Sequence, residues 1–347
     1  MKNLLISDLH LTVRDSEFIE VDGFKYPKKL YSKVNIIKDI IDKFQKEHKD
    51  DGRIIICGDI FHEKRYVYDL ALKAFIDILM SIEIETYIIS GNHDTTSRGN
   101  HNYSLLSWID SLPLTDKIIL IEPGKYKVID NMALVSWDRD IKKVIGEMME
   151  SIDPNKVRIL ISHFGIDEAS VSSGIYIKSD IKFKQIKDYF DLIILGHYHK
   201  PQKLTDPKCD LYYVGSVIQE NWGEGGEEKR YMIMDNETLD IQSIPITGYS
   251  KYVTIETDDI KEYQKLIKES NKDDYIRVKT KNKELQDICL SDDIKCMYIP
   301  DVAEYDGDKI ENIDIQEDIF KGYLCKMDIK EEDQPKYIKI LNKIIES

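Results

Sequence analysis

The chain has 347 residues, 42% hydrophobic and 33% charged, with a formal net charge of −15. That length favours two or three domains with proper cores. The acidic balance is the wrong sign for holding nucleic acid by charge alone, so any polyanion has to meet a local basic patch, a metal or a partner.

Leu4-Leu5-Ile6 reads as a first strand rather than a signal peptide and runs into Ser7-Asp8-Leu9-His10. In an extended segment Asp8 and His10 alternate onto one face, so both reach one point beyond the strand. Residues 11–31 are polar and turn-rich, which predicts a small hairpin or loop. Val34, Ile36, Ile37, Ile40, Ile41 and Phe44 follow helical spacing from Ser32 to about Lys49. The apolar run Arg53–Cys57 predicts a second strand, ending in Gly58-Asp59-Ile60-Phe61-His62-Glu63-Lys64-Arg65. A helix follows from Tyr68 to about Ile82. Thr86-Tyr87-Ile88-Ile89 is a third strand, closed by Ser90-Gly91-Asn92-His93-Asp94, and a helix is predicted near Tyr103–Leu112.

Residues 117–136 read as strands with a turn at Pro123-Gly124, and Ile141–Ile152 as a helix. Arg158–His163 is another strand with a histidine at its end. Phe183–Phe190 is a short helix, Asp191–Leu195 leads into Gly196-His197-Tyr198-His199, and Tyr212-Tyr213-Val214-Gly215-Ser216 follows. Residues 230–246 alternate as two strands. This alternation of strands and helices is an α/β layered pattern, in which ligands gather beyond the carboxyl ends of strands.

The composition changes near Gly248. Residues 251–300 are rich in Lys, Asp and Tyr and hold no His; their strand-helix-strand-helix-strand pattern predicts a small α/β domain. Residues 310–347 read as two amphipathic helices, which either dock on a partner or pack on their own domain. The expected division is residues 1–248, 249–309 and 310–347. No apolar run approaches the ~20 residues that span a membrane. The five cysteines are scattered without a C-x-x-C pair, which speaks against disulfides and structural zinc and for a cytoplasmic, reducing setting.

Six of the eight histidines (His10, His62, His93, His163, His197, His199) fall at predicted strand ends. His48 and His101 read as ordinary surface or core residues. Imidazoles, carboxylates and an amide oxygen without cysteine suit manganese, iron or zinc at a hydrolytic centre. Two ions held ~3.5–4 Å apart need a shared ligand, which a carboxylate serves best, and clamp both oxygens of a phosphoryl displacement. A turn cap is the simpler role for Asp94.

The set Asp8-x-His10, Gly58-Asp59, Gly91-Asn92-His93-Asp94, His163 and Gly196-His197-x-His199 resembles the calcineurin-like metallophosphoesterase family over about residues 1–245. The resemblance implies a layered sandwich of two central mixed sheets flanked by helices, with a small α/β capping domain and a C-terminal helix pair. It implies that Asp8, His10 and His199 hold one metal, that Asn92, His163 and His197 hold the other, and that Asp59 bridges them. His93 would protonate the leaving oxygen or stabilise the transition state.

The stretch Gly58–Arg65 is similar to the second motif of SbcD-type DNA-repair nucleases. There the histidine matching His62 is implied to orient the DNA or to support the catalytic histidine. Tyr213-Val214-Gly215-Ser216 resembles that subfamily's Tyr-Pro-Gly-Ser, with Val214 in place of Pro. The resemblance then implies a nuclease, exo- and endonucleolytic, acting in DNA repair, recombination or replication. It would use two divalent ions, most simply Mn2+ with Mg2+ as the alternative. Its partners would be DNA and an SMC-like (SbcC-type) ATPase bound by the C-terminal helices. A homodimer within a heterotetramer would form through helices near 68–82 and 103–112. The compact length resembles a phage recombination nuclease subunit, which would act in the host cytoplasm. The alternative is a metallophosphoesterase of a small phosphodiester or a phosphoprotein. Two basic runs, Lys25, Lys28 and Lys29 and then Lys64 and Arg65, are candidates for offsetting the acidic total.

Overall fold

The structure, a computed structural model, describes residues 1–298 except 16, 22, 99–100, 112–115, 173, 180 and 292–293. The predicted helices at 310–347 lie outside the described residues. Two mixed six-stranded sheets form the centre. The first runs in the order Ile241–Pro245, Arg230–Asp235, Lys2–Ile6, Gly52–Cys57, Thr86–Ile89, Ile118–Ile121. The second runs Gln202–Thr205, Asp210–Tyr213, Leu192–Gly196, Ile159–His163, Met132–Val135, Tyr126–Ile129.

Strand alternation explains the layers. Leu5, Ile55, Tyr87 and Ile89 from the first sheet pack on Met132, Leu134, Ile159, Ile161 and Ile194 from the second. Their sequence neighbours Leu4, Ile6, Ile54, Ile56 and Ile88 face the other way, onto the helices Lys28–Glu47 and Asp69–Leu79. Ala133, Val135, Leu160, Ile193 and Leu195 likewise face Ile141–Ser151 and Phe183–Ile186. A strand buried on both faces reads as a continuous apolar run, which is how Arg53–Cys57 and Asp191–Leu195 stand in the sequence. The result is a helix–sheet–sheet–helix sandwich, the α/β layered fold expected.

The strands Lys2–Ile6, Gly52–Cys57 and Thr86–Ile89 are parallel, and so are Met132–Val135, Ile159–His163, Leu192–Gly196 and Asp210–Tyr213. Their carboxyl ends therefore open on one side of each sheet, and the two sides meet. A third sheet, Tyr252–Glu256, Tyr275–Thr280 and Lys295–Tyr298, is parallel throughout. It holds its own small core of Ile255, Tyr263, Val278, Leu285 and Cys289.

Three local expectations are corrected. The segment near Tyr103–Leu112 is not an α-helix among the described residues: His101–Ser104 pairs antiparallel with Thr95–Arg98, and only Ser107–Ser111 forms a 3-10 turn. The ladder runs on past Thr95 and Ser104, with Leu105 N–H donating to the Asp94 carbonyl, so the start of the segment is spent in strand pairing. That also removes one of the two helices expected at a two-fold contact. The helix predicted from Ser32 begins at Lys28, directly after Pro27, whose fixed φ suits the residue leading into a helix. Asp8 and His10 do not alternate along a strand. Their φ angles are +52° and +42°, so the chain leaves the sheet in left-handed turns at both residues.

Candidate metal centre

The seven predicted ligands converge from five chain segments onto the facing carboxyl edges of the two sheets. His10 Nε2 lies 3.9 Å from Asp8 Oδ1 and 3.6 Å from Asp59 Oδ2. His199 Nε2 is 2.9 Å from His10 Nε2. On the other side, His163 Nε2 lies 3.3 Å from Asp59 Oδ1 and 3.2 Å from Asn92 Oδ1. His197 Nδ1 is 2.9 Å from that same amide oxygen. Asp59 thus faces both groups, one oxygen towards each. Two sets of donors gather within mutual reach, Asp8 with His10 and His199, and Asp59 with His163 and His197.

Glycine makes this approach feasible. A Cβ on Gly58, which sits at φ +87°, would run into the His163 ring, and one on Gly91 would overlap Asp59. Asp59 itself has φ +54° and His197 +93°, so the backbone at the site is held where L-residues rarely rest. Asp94 helps to hold it there: its carboxylate accepts from Ile60 N–H (2.9 Å), Phe61 N–H (3.1 Å) and Gly91 N–H (2.9 Å), clamping two site loops together.

Whether these residues suit a metal is decided by their lone pairs. His163 Nδ1 donates to the Cys57 carbonyl at 2.7 Å, which leaves Nε2 as a lone pair in the neutral ring. Asn92 Oδ1 has no hydrogen to give. In that neutral state the two acceptors, 3.2 Å apart, repel unless a metal ion or a proton on Nε2 stands between them. His199 Nδ1 donates to Glu224 Oε1 at 2.8 Å, so in the neutral ring its Nε2 is likewise a lone pair aimed at His10 Nε2. His10 Nδ1 is buried with no hydrogen-bond partner among the described residues. The donor set, all nitrogen and oxygen, fits a hydrolytic dinuclear centre.

The protonation balance reflects the same demand for positive charge. Burial raises Asp59, but His163, His10 and His93 outweigh it and hold the carboxyl well below its ordinary range. Burial lowers His163, yet Asp59 and Asp8 lift it to about 9. His199 is also lowered by burial and lifted to about 9, by Glu224 and Asp8. His197, desolvated and beside His163, falls to about 3, and burial with His199 keeps His10 well below the usual imidazole value.

His93 and His62 form a third grouping with His10. His93 N–H donates to Asp59 Oδ1 at 2.8 Å. His93 Nδ1 meets the His62 carbonyl, which only accepts, so Nδ1 carries the proton and Nε2 is left for substrate. The His62 ring lies 5.3 Å from that of His10 and 5.7 Å from that of His93. His48 caps a helix end and packs on Phe44, away from the site.

Sequence reading missed Glu224, Lys229 and Lys33. Glu224 is buried, and its second oxygen pairs with the buried Lys229 at 2.7 Å. Burial raises Glu224, but His199 and Lys229 bring it down to about 2. Lys33, also buried, donates to the His10 carbonyl and pairs with Glu220, each at 2.7 Å. These groups hold the predicted ligands His199 and His10 from behind. Their one sequence signal is a Glu following closely on the Gly215-Ser216 turn.

The family model for calcineurin-like phosphoesterases matches residues 1–201. The chain belongs to that family. It is a metal-dependent hydrolase of phosphoesters, and the two donor groups are those of a dinuclear centre. Solved structures similar to the phosphoesterase include a novel archaeal phosphodiesterase, at 16% identity and TM-score 0.36 over 71% of this chain and 99% of that one. A phosphopantetheinyl hydrolase from Mycobacterium tuberculosis matches at 12% and 0.38, over 62% and 89%. A purple acid phosphatase from yellow lupin (Lupinus luteus) matches at 13% and 0.41, over 67% and 48%. No helix among the described residues is long and apolar enough to cross a membrane.

For the phosphoesterase, Glu224→Gln is expected to weaken Mn2+ binding by about 10–100-fold, because partners behind a ligating histidine set its orientation and basicity. Titration calorimetry against Mn2+ checks this. A lower melting temperature with unchanged Mn2+ affinity would make Glu224 a brace of the fold only.

Proposed function

We propose that this phosphoesterase is a two-metal DNA nuclease of the SbcD type, the catalytic subunit partnered by an SMC-like ATPase. The observation that carries the reading is the His62–His93–His10 grouping at the centre. A simple hydrolytic centre needs one histidine beside the phosphate. Here a second, His62, fixes the first through its carbonyl and adds its own half-buried ring. The parallel sheet of Tyr252–Tyr298 and the two amphipathic helices patterned into 310–347 add to the reading, since neither is needed for a small substrate.

Asp8, His10 and His199 would hold one ion and Asn92, His163 and His197 the other, with Asp59 shared. Such ions supply a Lewis acid for the phosphoryl oxygens and lower the pKa of water towards neutrality. The chain's own part is positional. Asp59 orients the backbone of His93, the His62 carbonyl holds a proton on His93 Nδ1, and it is from Nε2 of the doubly protonated ring that a proton would reach the leaving oxygen, leaving the ring neutral. Manganese as the native ion, a homodimer, and a cytoplasmic site of action, in the host if the chain is phage-encoded, belong to the same proposal.

Labelled linear single- and double-stranded DNA should be cut by the full chain with Mn2+, more slowly with Mg2+, and not at all with chelator; added Mn2+ should restore cutting to the chelated protein. Metal-dependent hydrolysis of bis(p-nitrophenyl) phosphate with no cutting of DNA, alone or with the ATPase, would favour a small phosphodiester or phosphoprotein substrate.

A further inference from the structure

The two basic runs in the sequence have different fates. Lys28 pairs with Glu17 and Asp273, and Lys29 donates to the Glu220 carbonyl, so two of that run's three lysines are taken up by the fold. Lys64 and Arg65 are exposed and form no ion pair among the described residues. Their neighbour Glu63 turns away, to Arg14 Nε at 3.0 Å and Thr12 Oγ1 at 2.9 Å. Arg139, which no motif singles out, is also exposed and unpaired among the described residues. Of the acids flanking it, Asp138 accepts from Asn102 and from Asp140 N–H, and Asp140 caps the helix Ile141–Ser151.

These three cations share one cavity of about 340 Å3, with the half-buried indole of Trp137 in its wall. Asn92 and His197 line it too, so it opens directly from one side of the metal centre. Trp137 is held in place by its backbone, whose N–H donates to the Ser90 carbonyl and whose carbonyl accepts from Gly124 N–H.

We propose that this cavity seats the nucleoside next to the scissile phosphate, its base against Trp137 and its outer phosphate between Lys64, Arg65 and Arg139; the proposal rests on the nuclease reading above. In a chain of net charge −15, unpaired cations gathered around an aromatic face beside a phosphoesterase centre match the two parts of a nucleotide. The volume stands at the low end of ligand pockets, about 300–1,000 Å3, which suits one unstacked nucleoside rather than a duplex. The cavity therefore takes a single strand or a frayed end.

Two readouts on the full chain test this. The first is anisotropy of a labelled single-stranded oligonucleotide with chelator present, over a salt series. The second is the ratio of kcat/KM for that oligonucleotide to kcat/KM for bis(p-nitrophenyl) phosphate with Mn2+. Trp137→Ala should weaken oligonucleotide binding and lower the ratio, each by about 10-fold or more, and Trp137→Tyr should restore most of both. The triple variant Lys64→Ala, Arg65→Ala, Arg139→Ala should weaken binding and flatten its log–log salt dependence by about 0.7, the value for one single-strand phosphate contact.

Binding and ratio within about twofold of wild type in both variants, a bound smaller than the weakest stacking loss, would overturn the cavity's assignment and leave the nuclease reading standing. A wild-type chain that hydrolyses bis(p-nitrophenyl) phosphate but neither binds nor cuts the oligonucleotide, alone or with the ATPase, would overturn both.

Discussion

Asp59→Asn is expected to lower phosphodiester hydrolysis at least about a thousandfold, the scale set by several kcal/mol of lost charge stabilisation at the transition state. The substitution is isosteric. Its amide oxygen still accepts from His93 N–H, a bond of 2.8 Å in the wild type, so the loop keeps its tie. What it loses is the negative charge that faces His10 Nε2 at 3.6 Å and His163 Nε2 at 3.3 Å, one oxygen to each donor group. Metal content by elemental analysis should fall below that of the wild type in step with activity. Full metal content with wild-type turnover would rule out a shared carboxylate.

His93→Ala should cost about 10²–10⁴-fold in DNA cutting, the range for a positioned acid, while metal content stays at the wild-type level. No predicted ligand touches the His93 ring by hydrogen bond; its Nδ1 is committed to the His62 carbonyl. The leaving group separates the two roles open to it. A p-nitrophenolate departs without a proton, whereas the alkoxide of a DNA strand needs one. A proton donor therefore predicts a much smaller loss on bis(p-nitrophenyl) phosphate than on DNA. Equal losses on both substrates would make His93 a stabiliser of the transition state, and loss of metal would make it part of the metal-holding set.

Much of the layered core was legible because its signal is local. Alternation within a strand and 3.6-residue spacing within a helix are properties of neighbouring residues, so Gly52–Cys57, Leu192–Gly196 and the sheet Tyr252–Tyr298 stand where the pattern puts them. The failure at Tyr103–Leu112 has the same root. Its apolar spacing is helical, but Leu105 N–H pairs with the Asp94 carbonyl at the base of a local hairpin, and helical spacing of apolar residues carries no signal for that pairing.

The sequence by itself determined the chemistry at the strand ends: which residues carry imidazole, carboxylate and amide, and that all of them sit where an α/β fold gathers ligands. Only the tertiary structure decided how they meet. Asp8, Asp59, Asn92, His163 and His197 are far apart in the chain and come within hydrogen-bond range because two sheets abut at their carboxyl edges. That contact depends on glycines whose missing side chains matter only once the sheets touch. It also decided the buried charges behind the ligands. Glu224, Lys229 and Lys33 look like solvent-facing residues in sequence, since charge is costly to bury unless a partner arrives from elsewhere in the fold. Arg139 was illegible for the converse reason: an exposed arginine acquires meaning only from the indole and the cations that the fold sets beside it.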